Sequence, residues 1–214
     1  MSVNNNIQFF ANTPDDTHCF QAALKMILKY YFPEKDFSFE DLDKATDKIE
    51  NLWTWPMAGI MWLQSLGLEV KNVEIFDYDV FARQGTTYLQ EFYGKDVAAE
   101  QVANSDIQQS IKYAQQFAGS AITDVRLPDI SEIYNLLDDG YLIECNINGA
   151  KLNSEPDYYG HSIVISGYEG TDLIIQDPGA PPLKNRVVSQ KDFEAAWAYP
   201  NEKAKNYLAV RLKN

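Results

Sequence analysis

Gly160-His161-Ser162-Ile163-Val164-Ile165-Ser166-Gly167-Tyr168, followed after Glu169-Gly170-Thr171-Asp172 by Leu173-Ile174-Ile175-Gln176-Asp177-Pro178-Gly179, is the stretch that decides the fold of this chain. Val and Ile dominate both runs and favour strands, and the Gly-containing break between them is turn chemistry, so the pair is expected to form a β-hairpin. Pro178 ends the second strand because proline cannot donate to a sheet ladder. Antiparallel pairing through a four-residue connection brings the start of the first strand beside the end of the second. His161, one of two histidines in the chain, and Asp177 are therefore expected to be neighbours. A histidine beside a carboxylate is half of a catalytic constellation, and the candidate nucleophile is Cys19.

Working back toward the N-terminus, Asn12-Thr13-Pro14-Asp15-Asp16-Thr17 is a turn by composition. Phe20, Leu24, Ile27, Leu28 and Tyr31 then mark one face of a helix, with Asp16 or Thr17 as the expected N-cap and Pro33 as the stop. Cys19 falls in the first turn, where open N–H groups and the positive end of the helix dipole favour a thiolate. Asp15 and Asp16 oppose this, since nearby carboxylates raise a thiol's pKa. Cys145, on an apparent strand with no local histidine, reads as a core side chain.

The chain has 214 residues, enough for one domain with a sizeable core. Its 31 acidic and 18 basic residues give a formal charge of −13, which speaks against a nucleic-acid or anionic-membrane partner. No stretch reaches the roughly 18 apolar residues of a membrane span, and the N-terminus lacks a secretory pattern. Two cysteines far apart are too few for a disulfide framework. A cytoplasmic protein is expected.

Between these ends, Ile7 to Phe10 reads as a short extended piece after a polar tail, Ser38 to Ile49 as a charged helix, and Pro56 to Leu66 as a helix stopped by Gly67. Leu68 to Phe76 alternates as a strand. Residues 79–118 carry short helical patterns broken at Gly85, Gly94 and Asn104-Ser105, expected as a helical insertion or side lobe of a single domain spanning 1–214. An edge strand at Ile122 to Leu127, a helix from Ile130 capped by Asp129, and strands at Tyr141 to Ile147, Arg186 to Ser189 and Tyr207 to Leu212 complete the pattern, with a helix over Gln190 to Ala198. Helices early and antiparallel strands late imply an α+β fold. The pairs Trp53/Trp55 and Trp197/Tyr199 read as core and rim packing, whereas Tyr158 and Tyr159, directly before His161, are candidates for a cleft wall.

In this order, Cys19-Phe20-Gln21-Ala22-Ala23-Leu24-Lys25-Met26-Ile27-Leu28, then Gly160 to Tyr168, then Ile174-Ile175-Gln176-Asp177-Pro178, the chain resembles the papain-like cysteine peptidases, most of all the bacteriocin-processing, double-glycine-leader peptidase family and its stand-alone relatives. The resemblance implies a papain-like fold and a thiol hydrolase acting on a peptide or small amide. Cys19 would attack the carbonyl, His161 would move the proton and Asp177 would orient the imidazole. The family carries a Gln six residues before the cysteine as an oxyanion donor. Thr13 stands there in this chain with Asn12 beside it, so these two are the oxyanion candidates. Phe20 replaces the small residue that follows the family's cysteine and adds bulk near the nucleophile. His18 has no counterpart in the family and reads as a solvated loop residue. The chemistry calls for no cofactor. Metal-ligand spacing is missing, so no metal is expected. Two further readings stay open: an acyltransferase of transglutaminase type with the same triad, and a catalytically silent binding module.

Overall fold

The computed structural model describes residues 2–120 and 122–213. One sheet runs through it, and most of its strands come from the second half of the chain. The elements in order are β1 (Ser2–Asn4), α1 (Cys19–Tyr31), α2 (Phe39–Thr46), α3 (Met57–Ser65), β2 (Leu68–Glu74), α4 (Tyr78–Gln84), α5 (Thr86–Tyr93), α6 (Lys95–Ala103), α7 (Ile107–Ala118), β3 (Thr123–Val125), α8 (Ile130–Asp138), β4 (Leu142–Asn148), α9 (Gly149–Leu152), β5 (Gly160–Glu169), β6 (Asp172–Asp177), β7 (Leu183–Val188), α10 (Gln190–Trp197) and β8 (Asn206–Leu212). The strands lie in the order β3-β2-β8-β4-β5-β6-β7, with β1 on β5. All pairs are antiparallel except β2 with β3. The fold is α+β, as the residue pattern implied. No helix among the described residues is long and apolar enough to cross a membrane.

Period-two alternation splits the sheet's side chains between two cores. Leu142, Val164, Leu208 and Val210 face α1, α3 and the helices between β2 and β3. Ile143, Cys145, Ile163, Ile165 and Ala209 face α8 and α10, where Phe193 and Trp197 are fully buried. Cys145 is thus a core side chain, and burial, with Glu144 adding to it, pushes its thiol well above the usual range. The short helical patterns of 79–118 become α4 to α7, with breaks at Gly85, Gly94 and Asn104-Ser105 as their glycines and caps dictate.

Helix α1 buries eight of its thirteen residues, because the apolar stripe read from the sequence faces the sheet. Its two ends are tied to neighbours. The Tyr31 hydroxyl donates to the Val210 carbonyl at 2.7 Å and accepts the Leu142 N–H at 3.1 Å. Near the other end Gln21, fully buried, donates to the hydroxyls of Thr46 and Thr54, both at 2.9 Å. These contacts set where along the sheet Cys19 comes to rest.

The N-terminal segment corrects one expectation. Ile7 to Phe10 has no strand partner, whereas Ser2–Asn4, expected as polar tail, pairs with Gly167–Glu169. The reason is an open edge: β4 pairs with β5 only as far as Ile165, and β1 takes up the remaining backbone groups. Gly167 permits the approach, since a Cβ there would lie 2.2 Å from the Val3 carbonyl oxygen. Gly167→Ala is therefore expected to detach β1 and cost about 1–3 kcal/mol. Faster hydrogen exchange at residues 3–5 with an otherwise native pattern is the expected readout; unchanged protection there would show that β1 adapts.

Candidate functional site

The chain enters α1 through a turn held by side chains. Asn12 Oδ1 accepts the N–H groups of Thr13 at 2.9 Å and His18 at 2.8 Å, and Asn12 Nδ2 donates to Asp16 Oδ1 at 2.7 Å. Asp16 adopts φ +55° within this turn. The N-cap is His18 rather than Asp16 or Thr17, because Asn12 reaches forward to claim its N–H. No side chain among the described residues caps α1, so the first-turn N–H groups, that of Cys19 among them, are left open toward a negatively charged group.

His18 is not a solvated loop residue. Its side chain is 13% exposed and sits between the carboxylates of Asp15 and Asp43. Thr13 Oγ1 lies 2.6 Å from His18 Nδ1 and also donates to Asp15. Burial raises the Asp15 pKa, but hydrogen bonds from Thr13 and Thr17 and the His18 ring outweigh it and hold the carboxyl far below the usual range. The structure thus places the polar side-chain groups of Asn12 and Thr13 inside the loop's own network. Asn12 has a second role through its backbone: its N–H donates to the Pro178 carbonyl at 2.9 Å, joining the loop before Cys19 to the loop after Asp177.

The hairpin brings His161 and Asp177 together, with Nε2 2.7 Å from Oδ1 and both side chains about 95% buried. With Nε2 engaged by the carboxylate, Nδ1 is the ring nitrogen left for the thiol. Gly179 N–H donates to the same Asp177 oxygen at 3.1 Å, and Arg186 Nη1 donates to Oδ2 at 2.8 Å. Arg186 is itself anchored on Asn153 Oδ1 and the Leu152 carbonyl at 2.8 and 2.9 Å. Burial works against the Asp177 charge, yet His161, Gly179 and Arg186 together hold its carboxyl below the ordinary value. Sequence reasoning missed Arg186. Its signal was available only through register, since Arg186 pairs with Ile175 and so lies diagonal to Asp177 across the β6–β7 ladder.

Cys19 meets the imidazole at the strand end. Burial pushes its thiol up, and Glu144 adds to that, but the hydrogen-bonding contact and charge of His161 and the Ser162 N–H prevail and bring it below the ordinary value. The opposing carboxylate is Glu144, not the Asp15 and Asp16 expected from proximity in sequence. For His161, burial disfavours the cation, while the bond to Asp177 and the contact with Cys19 raise its pKa. The arrangement favours a thiolate–imidazolium pair held by a carboxylate that is itself clamped. Phe20 does not crowd it: the ring is 3% exposed and packs over Gly59, where a Cβ would come 2.7 Å from Phe20 Cε1.

Beyond Cys19 a cavity opens between α1, the β2 to β5 sheet face and the aromatic loops, lined among others by Trp53, Trp55, Glu74, Glu144 and Tyr199. Trp53, Trp55 and Tyr199, expected as packing, form its walls. Tyr158 also lines it, with its hydroxyl accepting Gln101 Nε2 at 2.9 Å and its ring stacked on Tyr199 at 5.9 Å. Tyr159 turns away from the cavity to pack over Gly149, 6.1 Å from the His161 ring. Among the described residues no group of three His, Cys, Asp or Glu side chains has the geometry of a metal site.

Comparison with known proteins adds three findings. The family model described as Peptidase_C39 like matches residues 3–205. Similar solved structures include the peptidase domain of Streptococcus ComA, a bifunctional ABC transporter involved in quorum sensing, at TM-score 0.52 and 14% identity, covering 97% of this chain and 98% of that one. A double glycine motif protease from an AMS/PCAT transporter in complex with its leader peptide is similar at TM-score 0.51 and 11% identity, over 99% and 95% of the two chains. A candidate C39-like peptidase from Bacillus anthracis is similar at TM-score 0.50 and 14% identity, over 100% and 99%. No curated protein matches the sequence.

Proposed function

Because the chain belongs to the C39 peptidase-like family, a family of cysteine peptidases, we propose that it hydrolyses a peptide or other amide bond through Cys19, His161 and Asp177. The observation that supports this most is the placement of His161 between the Cys19 thiol and the Asp177 carboxylate. Cys19 Sγ attacks the carbonyl carbon while the imidazolium stays close to the leaving nitrogen. The C–N bond breaks, the amine departs with the proton from His161, and a thioester remains. Water, deprotonated by the neutral imidazole, then cleaves the thioester to a carboxylic acid and restores the thiol. The open first-turn N–H of Cys19 is one oxyanion donor in this reading. The similar AMS/PCAT protease is bound to a leader peptide, which favours a peptide as substrate here. The two free thiols fit a reducing compartment, and the proposal places the reaction in the cytoplasm.

One observation favours a second reading, a silent binding module: the side-chain groups of Asn12 and Thr13 are occupied within their loop. A peptide vinyl sulfone separates the two. The hydrolase takes up one label per chain, at Cys19 and not at Cys145, at a rate far above that of free cysteine. A binding module labels no faster than free thiol while still binding the peptide.

A further inference from the structure

The floor of the cavity beside Cys19 is one face of the sheet, and the strand register lays it out. Glu144 stands between Val164 on β5 and Leu208 on β8. One two-residue step away, Asn146 pairs with Ser162, and Glu74 pairs with Asn206. Glu144 and Glu74 thus occupy the same face two strands apart, about 10 Å in the lateral direction. Glu74 Oε1 accepts Asn72 Nδ2 and the Tyr78 hydroxyl, each at 2.7 Å. Glu144 is 4% exposed, and its charge is favoured by the Ser162 hydroxyl and, more weakly, by the charge of His161.

No Lys or Arg is found among the described residues that line this cavity. Two carboxylates therefore face a low-dielectric space that no Lys or Arg of the described residues lines, and the nearby His161 is already held by Asp177, an arrangement that is costly until a positive group enters. Burial, and after it the charge of Glu74, push the Glu144 carboxyl up to about 7 against the pull of Ser162 and His161. The walls are aromatic, and ring faces attract cations. The cavity, about 100 Å³ in volume, has room for a short chain with a charged end.

We infer that this cavity is the specificity pocket of the reaction proposed above and that it accepts an alkylammonium or guanidinium group, carried either by the substrate residue next to the scissile bond or by an amine that captures the thioester. The inference rests on that proposal for its catalytic meaning, but cation binding itself does not. Glu144 supplies the charge nearest the thiol at the cavity floor, Glu74 a second, and Cys19 at the cavity places the reacting carbonyl.

The test is a titration of tryptophan fluorescence at constant ionic strength, since Trp53 and Trp55 line the cavity. The probes are n-butylammonium and agmatine, compared with n-butanol and butyrate, on the wild type, Cys19→Ala, Glu144→Gln and Glu74→Gln. The cations are expected to bind at least about tenfold more tightly than butanol, the gain of a charge-assisted hydrogen bond. Glu144→Gln is expected to lose about that factor, and Cys19→Ala to keep it. Equal binding of butanol and butylammonium to the wild type overturns the inference, as does undiminished binding to a Glu144→Gln protein that unfolds cooperatively. If Glu144→Gln does not fold, the wild-type comparison decides alone. Cation binding by the wild type and by Cys19→Ala, with no amide cleaved by the wild type, removes the hydrolase proposal and leaves the pocket. Cleavage without preference for cations removes the pocket and leaves the hydrolase. Faster cleavage of a Lys-bearing peptide than of its norleucine analogue assigns the charge to the acyl side, whereas faster thioester capture by 1,4-diaminobutane, whose second, protonated nitrogen can occupy the pocket while the first attacks, than by butylamine assigns it to the acceptor.

Discussion

His161→Ala is expected to lower turnover of an amide substrate by about 10²–10⁴-fold, the span that a positioned general acid–base supplies. The same change should alter Cys19 itself. With His161 gone, the burial of the thiol and the charge of Glu144 lose their strongest opponent, leaving the Ser162 N–H and the open end of α1, so the thiol moves above the roughly 8.5 of a free cysteine. The measurement is the rate of iodoacetamide alkylation at Cys19 against pH, resolved by mass spectrometry. Cys145, with no exposed surface, serves as an internal unreactive control. The wild type should react with an apparent pKa below the ordinary value and the variant above it, with slower alkylation at neutral pH. Superimposable curves would mean that the imidazole does not act on the thiol.

Asp177→Ala carries the largest expected cost in stability, about 3–5 kcal/mol. Removing the carboxylate leaves the guanidinium of Arg186, 20% exposed, and the almost fully buried His161 ring without their shared partner. It also frees the Gly179 N–H and loosens the loop that Asn12 holds through Pro178. The pH dependence follows from the sign of the Asp177 shift. Its folded-state pKa lies below the ordinary value of about 3.9, so the unfolded chain takes up the proton first as pH falls. The stabilisation is complete above about pH 5 and is lost as pH falls toward the depressed pKa. Urea unfolding should show the variant's deficit at pH 7 shrinking as pH is lowered below about 4. A deficit under about 1 kcal/mol at pH 7 would mean that the Arg186–Asp177–His161 chain contributes little.

The parts of the site legible in the sequence were those governed by local rules. His161 and Asp177 could be paired because a hairpin's register follows from its turn and its alternation, and the Ile165/Gly167 bulge alters that register too little to part them. Cys19 could be assigned to a first helical turn because the apolar stripe begins there. The cap was misjudged, since it depends on a side chain six residues upstream that bends back through a left-handed Asp16. Nothing in the sequence set Glu144 apart from its neighbours on the strand of Cys145. Only its placement opposite α1, beside Leu208 and Val164, shows that it faces the thiol and not solvent.

The amino-acid sequence was enough to find most of the helices and strands, the hairpin that joins His161 to Asp177, and the α+β class. Each of these depends on contacts between near neighbours, on turn chemistry, or on the period of apolar residues. Tertiary structure alone decided the lateral order of the strands, and with it the floor that sets Glu74 and Glu144 on one face beside Cys19. It also decided that Arg186 clamps Asp177 and that Ser2–Asn4 completes the edge of β5. The physical reason is that strand order is selected by the burial of two whole sheet faces, a cooperative property of packing. Periodicity shows which side chains share a face of one strand and is silent on which strand lies beside it.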